Sequence, residues 1–215
     1  MDKINYVSIP QSLILSQEIH FKSKYLYIML KKNSYNSKIK ITTKTMMNKL
    51  RWKDNRTFKK YLIELLKNNY VLNITKDEIN KLSPTSILTL NLQIPTVYIM
   101  IDSLLIDKVL LIDKHTYEKG LIYLYINENF YNSDWGYSCL GYEYFDKLLK
   151  MSRKKIKDLI WLYHDNYICE YYRMSCIIVD DNTIRPKNRY IVNNYNNNRR
   201  RYVKHKQPIY FGDTI

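Results

Sequence analysis

The chain has 215 residues, with 35 Lys and Arg against 20 Asp and Glu, a formal charge of +15. That length allows one domain or two small ones, and the excess charge attracts polyanions, nucleic acid first and an anionic membrane surface second. Three cysteines without a Cys-x-x-Cys pair and four scattered histidines argue against a disulfide scaffold and a zinc site; apolar runs such as 25–30 and 97–101 are too short to cross a bilayer.

Lys, Asn, Ile and Tyr abound while Gly and Pro are few. Those favoured residues have A·T-rich codons, which points to an A·T-rich bacterium, plasmid or phage as the source. The same bias makes the 22 tyrosines substitutes for Phe and Leu at core edges rather than stacking platforms. Met1-Asp2-Lys3 begins no signal peptide, so a cytoplasmic protein is expected.

In chain order, Val7, Ile9 and Pro10 open the ordered part, and 13–15 is a small apolar anchor. Residues 21–30 read as a first helix with Tyr25, Ile28 and Met29 on one side. Residues 33–38 are turn-like, and 38–42 alternates as a short strand. Thr42 or Thr43 caps a second helix over 44–50, with Met46, Met47 and Leu50 turned inward. After the turn 51–53 comes the stretch on which the reading rests, 54–69. Asp54 is its N-cap, and Phe58, Tyr61, Leu62, Leu65 and Leu66 recur at helical spacing. Arg56, Lys60 and Lys67 lie opposite, with Lys59 at the margin. An Asn in the left-handed conformation ends the helix at 68–69. A strand over 70–74, a polar loop over 75–85 and a returning strand over 86–92 complete the first part, which Pro95 closes.

The second part repeats the first. Gln11-Ser12-Leu13-Ile14-Leu15 has a counterpart in Asp102-Ser103-Leu104-Leu105-Ile106, and Tyr25-Leu26-Tyr27-Ile28 in Tyr123-Leu124-Tyr125-Ile126. Met47-Asn48-Lys49-Leu50 corresponds to Phe145-Asp146-Lys147-Leu148, Phe58-Lys59 to Ile156-Lys157, and Asn69-Tyr70-Val71 to Asn166-Tyr167-Ile168. Five matches in one order indicate a tandem repeat. The second copy is expected to have a helix near 115–127, a loop over 129–138 and a short helix over 142–149. A basic helix capped by Ser152 comes next over 153–164, then strands over 167–173 and 175–179. Ile156, Leu159, Ile160 and Tyr163 form the apolar face of that helix, and Arg153, Lys154, Lys155 and Lys157 crowd its first turns. From 193 onward the chain turns Asn-rich and then basic, with Arg199, Arg200 and Arg201 in a row. This reads as an arm, mobile until it binds.

The order helix, strand, helix, turn, basic helix, strand, loop, strand resembles the winged helix-turn-helix superfamily over residues 7–95, on layout and apolar spacing rather than a rigid motif. The resemblance implies that 44–50 positions and 54–69 reads DNA, with the hairpin around 75–85 as the wing. The fold class expected is thus α+β: two tandem winged helix-turn-helix domains, 1–95 and 96–192, with a basic, partly disordered arm at 193–215. Asn55, Arg56, Lys59, Lys60 and Lys67 are the expected DNA-binding residues of the first domain. Arg153, Lys154, Lys155 and Lys157 play that part in the second, and Arg199, Arg200 and Arg201 in the arm. Asp158 and Trp161 stand where the first copy has Lys60 and Ile63. A repelling charge and a large indole there suit a protein contact, with a second protomer or the first domain, unless Trp161 stacks within its own domain.

A small basic protein with two such domains is similar to the replication initiators of plasmids and phages. A transcription regulator with the same folds is the alternative, and an RNA-binding or structural protein the outsider. The expected partner is double-stranded DNA, A·T-rich, with a homodimer as a further expectation. No enzyme, no small-molecule cofactor, no metal and no membrane association are expected: the phosphate-loop pattern is missing, no two histidines lie close in sequence, and Asp180-Asp181 reads as a turn.

Overall fold

The computed structural model describes residues 6–103, 106, 138–149, 151–165, 169–172, 177–179, 182–184 and 189–192. The chain divides into two compact units, one spanning Asn5–Leu104 and the other built on Leu105–Ile215. Both mix helices with small antiparallel sheets.

The first unit is wrapped around helix α2 (Phe21–Lys32), whose residues 23 to 30 are all buried. Strand β1 (Tyr6–Pro10) and helix α1 (Gln11–Leu15) precede it. Strand β2 (Lys38–Thr42) alternates as its sequence predicts, with Ile39 buried between exposed Lys38 and Lys40. Helix α3 (Thr43–Lys49) is capped by Thr42 and α4 (Asn55–Lys67) by Asp54. Phe58, Tyr61, Leu62 and Leu65 of α4 are buried. Each contributes about 1.5–3 kcal/mol against about 1 kcal/mol for a cap, so the apolar face holds α4 and the cap only sets where it starts. Asn69, at φ 59°, ends it in the expected left-handed conformation.

Strand β3 (Val71–Leu72) and strand β4 (Ile87–Leu92) complete a three-stranded sheet in the order β2-β4-β3, with Ile39 opposite Leu90 and Ile41 opposite Leu88. Strands β3 and β4 pair antiparallel, Val71 opposite Leu92, but the polar loop expected between them over 75–85 is largely replaced by a helix. Residues Lys76–Lys81 form helix α5, opened by a reciprocal capping box between Thr75 and Glu78. Ile79 is its one buried residue, and the helix packs against α4. A last strand, β5 (Tyr98–Asp102), pairs antiparallel with β1, Val7 opposite Ile101 and Ile9 opposite Ile99. The first unit therefore runs past Pro95 to Leu104.

Among the described residues, one cation is buried. Lys24 is 2 % exposed, and its ammonium donates to the carbonyls of Ile14 at 2.8 Å and Ser16 at 2.6 Å, closing the end of α1. Burial pushes its pKa down to about 8.

The second unit repeats the order of strand, two helices, strand and central strand. Strand β6 (Ser138–Cys139) leads to helix α6 (Tyr142–Leu149) and helix α7 (Arg153–Asp165). Strands β7 (Cys169–Tyr172), β8 (Ile177–Val179), β9 (Asn182–Ile184) and β10 (Arg189–Val192) complete it. The strands near 167–173 and 175–179 do not pair with each other as expected for a wing. Strand β7 pairs with β10, which lies centrally in the order β6-β10-β7, while β8 pairs with β9. Helices α4 and α7 are both 13 residues long. The buried Ile156, Leu159, Ile160 and Tyr163 of α7 occupy the same helical positions as the buried four of α4. The helix expected over 115–127, the Asp180-Asp181 pair and the arm from 193, with Arg199, Arg200 and Arg201, lie outside the described residues.

Candidate nucleic-acid interface

Helix α4 begins where Asp54 accepts the amides of Arg56 at 2.9 Å and Thr57 at 3.2 Å. Those hydrogen bonds, with the Thr57 hydroxyl, hold the Asp54 carboxyl below the usual carboxylate range. The burial of Phe58, Tyr61, Leu62 and Leu65 then sets which residues of the helix face outward.

Each flank of α4 is covered by another helix. On one side Glu64 accepts the backbone N–H of His20 at 3.3 Å and the Ser23 hydroxyl, tying α4 to the start of α2. On the other, the Asn55 amide donates to the Leu82 carbonyl at 3.0 Å and the Lys59 ammonium to the Asn80 carbonyl at 2.7 Å. These acceptors lie at the C-terminal end of α5, where carbonyls lack helical partners and cations are favoured. Two residues expected at base edges, Asn55 and Lys59, are thus half-buried and bound to α5. What stays outward is a ridge at helical spacing: Arg56, Lys60 and Lys67 exposed, with Ile63 half-buried among them.

The amino ends of both helices are filled from within. In α3 the Thr43 and Lys44 amides donate to the carbonyls of Ser86 and Pro84, each at 2.9 Å, and the Thr45 amide to the Thr42 hydroxyl at 3.2 Å. In α4 Asp54 takes the same part. A helix N-terminus ordinarily attracts phosphate through such amides. Here contact with an anion falls to side-chain cations, and Lys44, Lys53, Arg56, Lys60 and Lys67 are exposed around the two helices.

In the second unit the Ser152 hydroxyl accepts the Lys155 amide at 3.4 Å. Arg153 pairs with Glu143 at 3.5 Å, side chains 68 % and 87 % exposed, an ion pair worth little in water. Lys154, Lys155 and Lys157 are exposed. So are Asp158 and Trp161, the latter at 42 %, in the positions held by Lys60 and Ile63 in α4.

The residue types of a nucleophilic triad meet at Ser23, His20 and Glu64. The Ser23 hydroxyl has no exposed surface, however, and donates to Glu64, so it joins α2 to α4 and reaches no substrate. Among the described residues, no group of three or more His, Cys, Asp or Glu is placed to hold a metal ion, and no helix is long and apolar enough to cross a membrane.

Sequence reasoning did not single out Lys22, which stands with Lys60 near the ring of Tyr61. Nothing local announces a meeting between helix surfaces that far apart in the chain. Lys59, expected at base edges, donates to the Asn80 carbonyl of α5, a contact that local spacing likewise does not announce. No protein-family model, curated protein or solved structure matches the chain significantly.

Proposed function

We propose that the chain binds double-stranded DNA sequence-specifically through two winged helix-turn-helix units, and that it starts replication at repeated origin sites of a plasmid or phage. The observation that carries this reading is the ridge of Arg56, Lys60 and Lys67, the one face of α4 left open between α2 and α5. A helix that buries one side and offers Arg and Lys on the other fits a major groove. The sheet order β2-β4-β3, with the last strand central, supports a winged helix, and β6-β10-β7 has the same connectivity. In the second unit the β8–β9 hairpin sits between β7 and β10, where a wing belongs. Two units with matching basic helices suit DNA that itself carries a repeat.

Selection of bound duplexes from a random pool tests the reading. Enrichment of a defined A·T-rich sequence is the expected result; recovery without sequence preference, or preference for structured RNA, overturns it. Footprints at repeated sites beside an origin separate initiation from control of a single operator upstream of the protein's own gene.

A further inference from the structure

The ammonium groups of Lys22 and Lys60 stand 5.7 Å and 5.5 Å from the centre of the Tyr61 ring. Lys22 comes from the first turn of α2 and Lys60 from the outward ridge of α4. Two cations drawn to one aromatic ring repel each other, and each gains only about 0.5–1 kcal/mol from the ring face. The nearest carboxylate on α4, that of Glu64, is bound to the His20 amide and the Ser23 hydroxyl. The first amides of α2 are engaged as well: that of Lys22 donates to His20 Nδ1 at 3.1 Å, and those of Ser23 and Lys24 to the His20 carbonyl. The fold therefore gathers two positive charges beside the ridge and directs the neighbouring carboxylate and amides elsewhere.

We propose that Lys22 and Lys60 together hold a backbone phosphate of the bound duplex, so that the interface extends from the α4 ridge across Tyr61 onto α2. The inference rests on the DNA-binding reading above. The phosphate is sequence-neutral, which makes Lys22 a residue of affinity and register, whereas Arg56 reads bases.

The test is a salt titration of the full-length wild type, Lys22→Gln and Lys22→Arg on the selected duplex and on a scrambled one. Lys22→Gln is expected to weaken binding by the same several-fold factor on both duplexes. It should also make the slope of log K against log salt shallower by about 0.9, the loss of one phosphate contact. Lys22→Arg should restore the slope. A duplex with one neutral methylphosphonate should match the variant's loss at a single backbone position, and variant and modification together should cost no more than either alone. Thermal unfolding of Lys22→Gln, measured alongside, is expected to match the wild type. A wild type that binds while Lys22→Gln keeps its affinity and slope overturns the phosphate pair and leaves the DNA reading standing. A wild type that binds no duplex overturns both.

Discussion

The ammonium of Lys59 lies 2.7 Å from the carbonyl oxygen of Asn80, so a cation on α4 caps the C-terminal end of α5. Its helical neighbour Arg56 is exposed on the ridge. The two should therefore fail differently when truncated. Arg56→Ala is expected to cost about 1–3 kcal/mol of binding at the selected site and to relax base preference there. Lys59→Ala should lower folding stability by about 1 kcal/mol, the worth of one hydrogen bond at a helix end, and leave base preference unchanged. Binding titrations on matched and mismatched duplexes, with urea unfolding of both variants, check the pair.

Because the amino ends of α3 and α4 are filled by Ser86, Pro84, Thr42 and Asp54, the proposed DNA binding leaves phosphate contacts to lysines and arginines. Binding should weaken steeply with salt. If about eight phosphates are neutralised, log K against log salt should have a slope of about −7. A slope shallower than about −2 would mean that the positive charge is not used on DNA.

Stability should depend on pH through two buried groups of α2. The pKa of Lys24 is lowered to about 8 in the folded chain, from 10.5 for a free lysine. Between those values the unfolded chain holds the proton that the folded chain has released, so stability rises with pH across that window. Tyr27 works the other way. Burial first, and Tyr70 second, raise its pKa above the usual 10.0, so stability falls as pH climbs past 10. Urea unfolding of the wild type should therefore rise from about pH 8 and turn down above about pH 10. Lys24→Met should remove the rise, at a cost of about 1–3 kcal/mol at neutral pH for the carbonyls of Ile14 and Ser16 left without their donor.

On α7 an acidic residue, Asp158, takes the place of Lys60, and Trp161 that of Ile63. Asp158→Lys is expected to strengthen binding to any duplex and to steepen the salt slope by about 0.9. An unchanged slope would show that this face of α7 stays away from phosphate. Trp161→Ala should reduce self-association in sedimentation while leaving the Arg56-dependent base preference intact; unaltered mass and shape would remove Trp161 from any protein contact.

The sequence by itself determined the features that depend on neighbours within a few residues. Period and caps placed α3, α4, α6 and α7 to within two residues, because burial of Phe58, Tyr61, Leu62 and Leu65 repeats at 3.6 residues and Asp54 stops the helix where its own amides begin. Alternation likewise set β2 and β4. Tertiary structure decided the rest. Thr75 and Glu78 spelled a capping box, yet a six-residue segment with the single buried apolar Ile79 becomes a helix only because α4 offers it a face. Strand partners were open for the same reason: β7 could equally meet the next strand, β8, and joins β10 instead. Most consequential was the division of one cationic helix into a charge bound to α5 and charges that face outward. Arg56, Lys59 and Lys60 are alike in sequence, and only the arrival of α5 on one flank and α2 on the other separates the residue that caps a helix from those that face outward. Contacts between distant segments are set by packing, which local spacing does not encode.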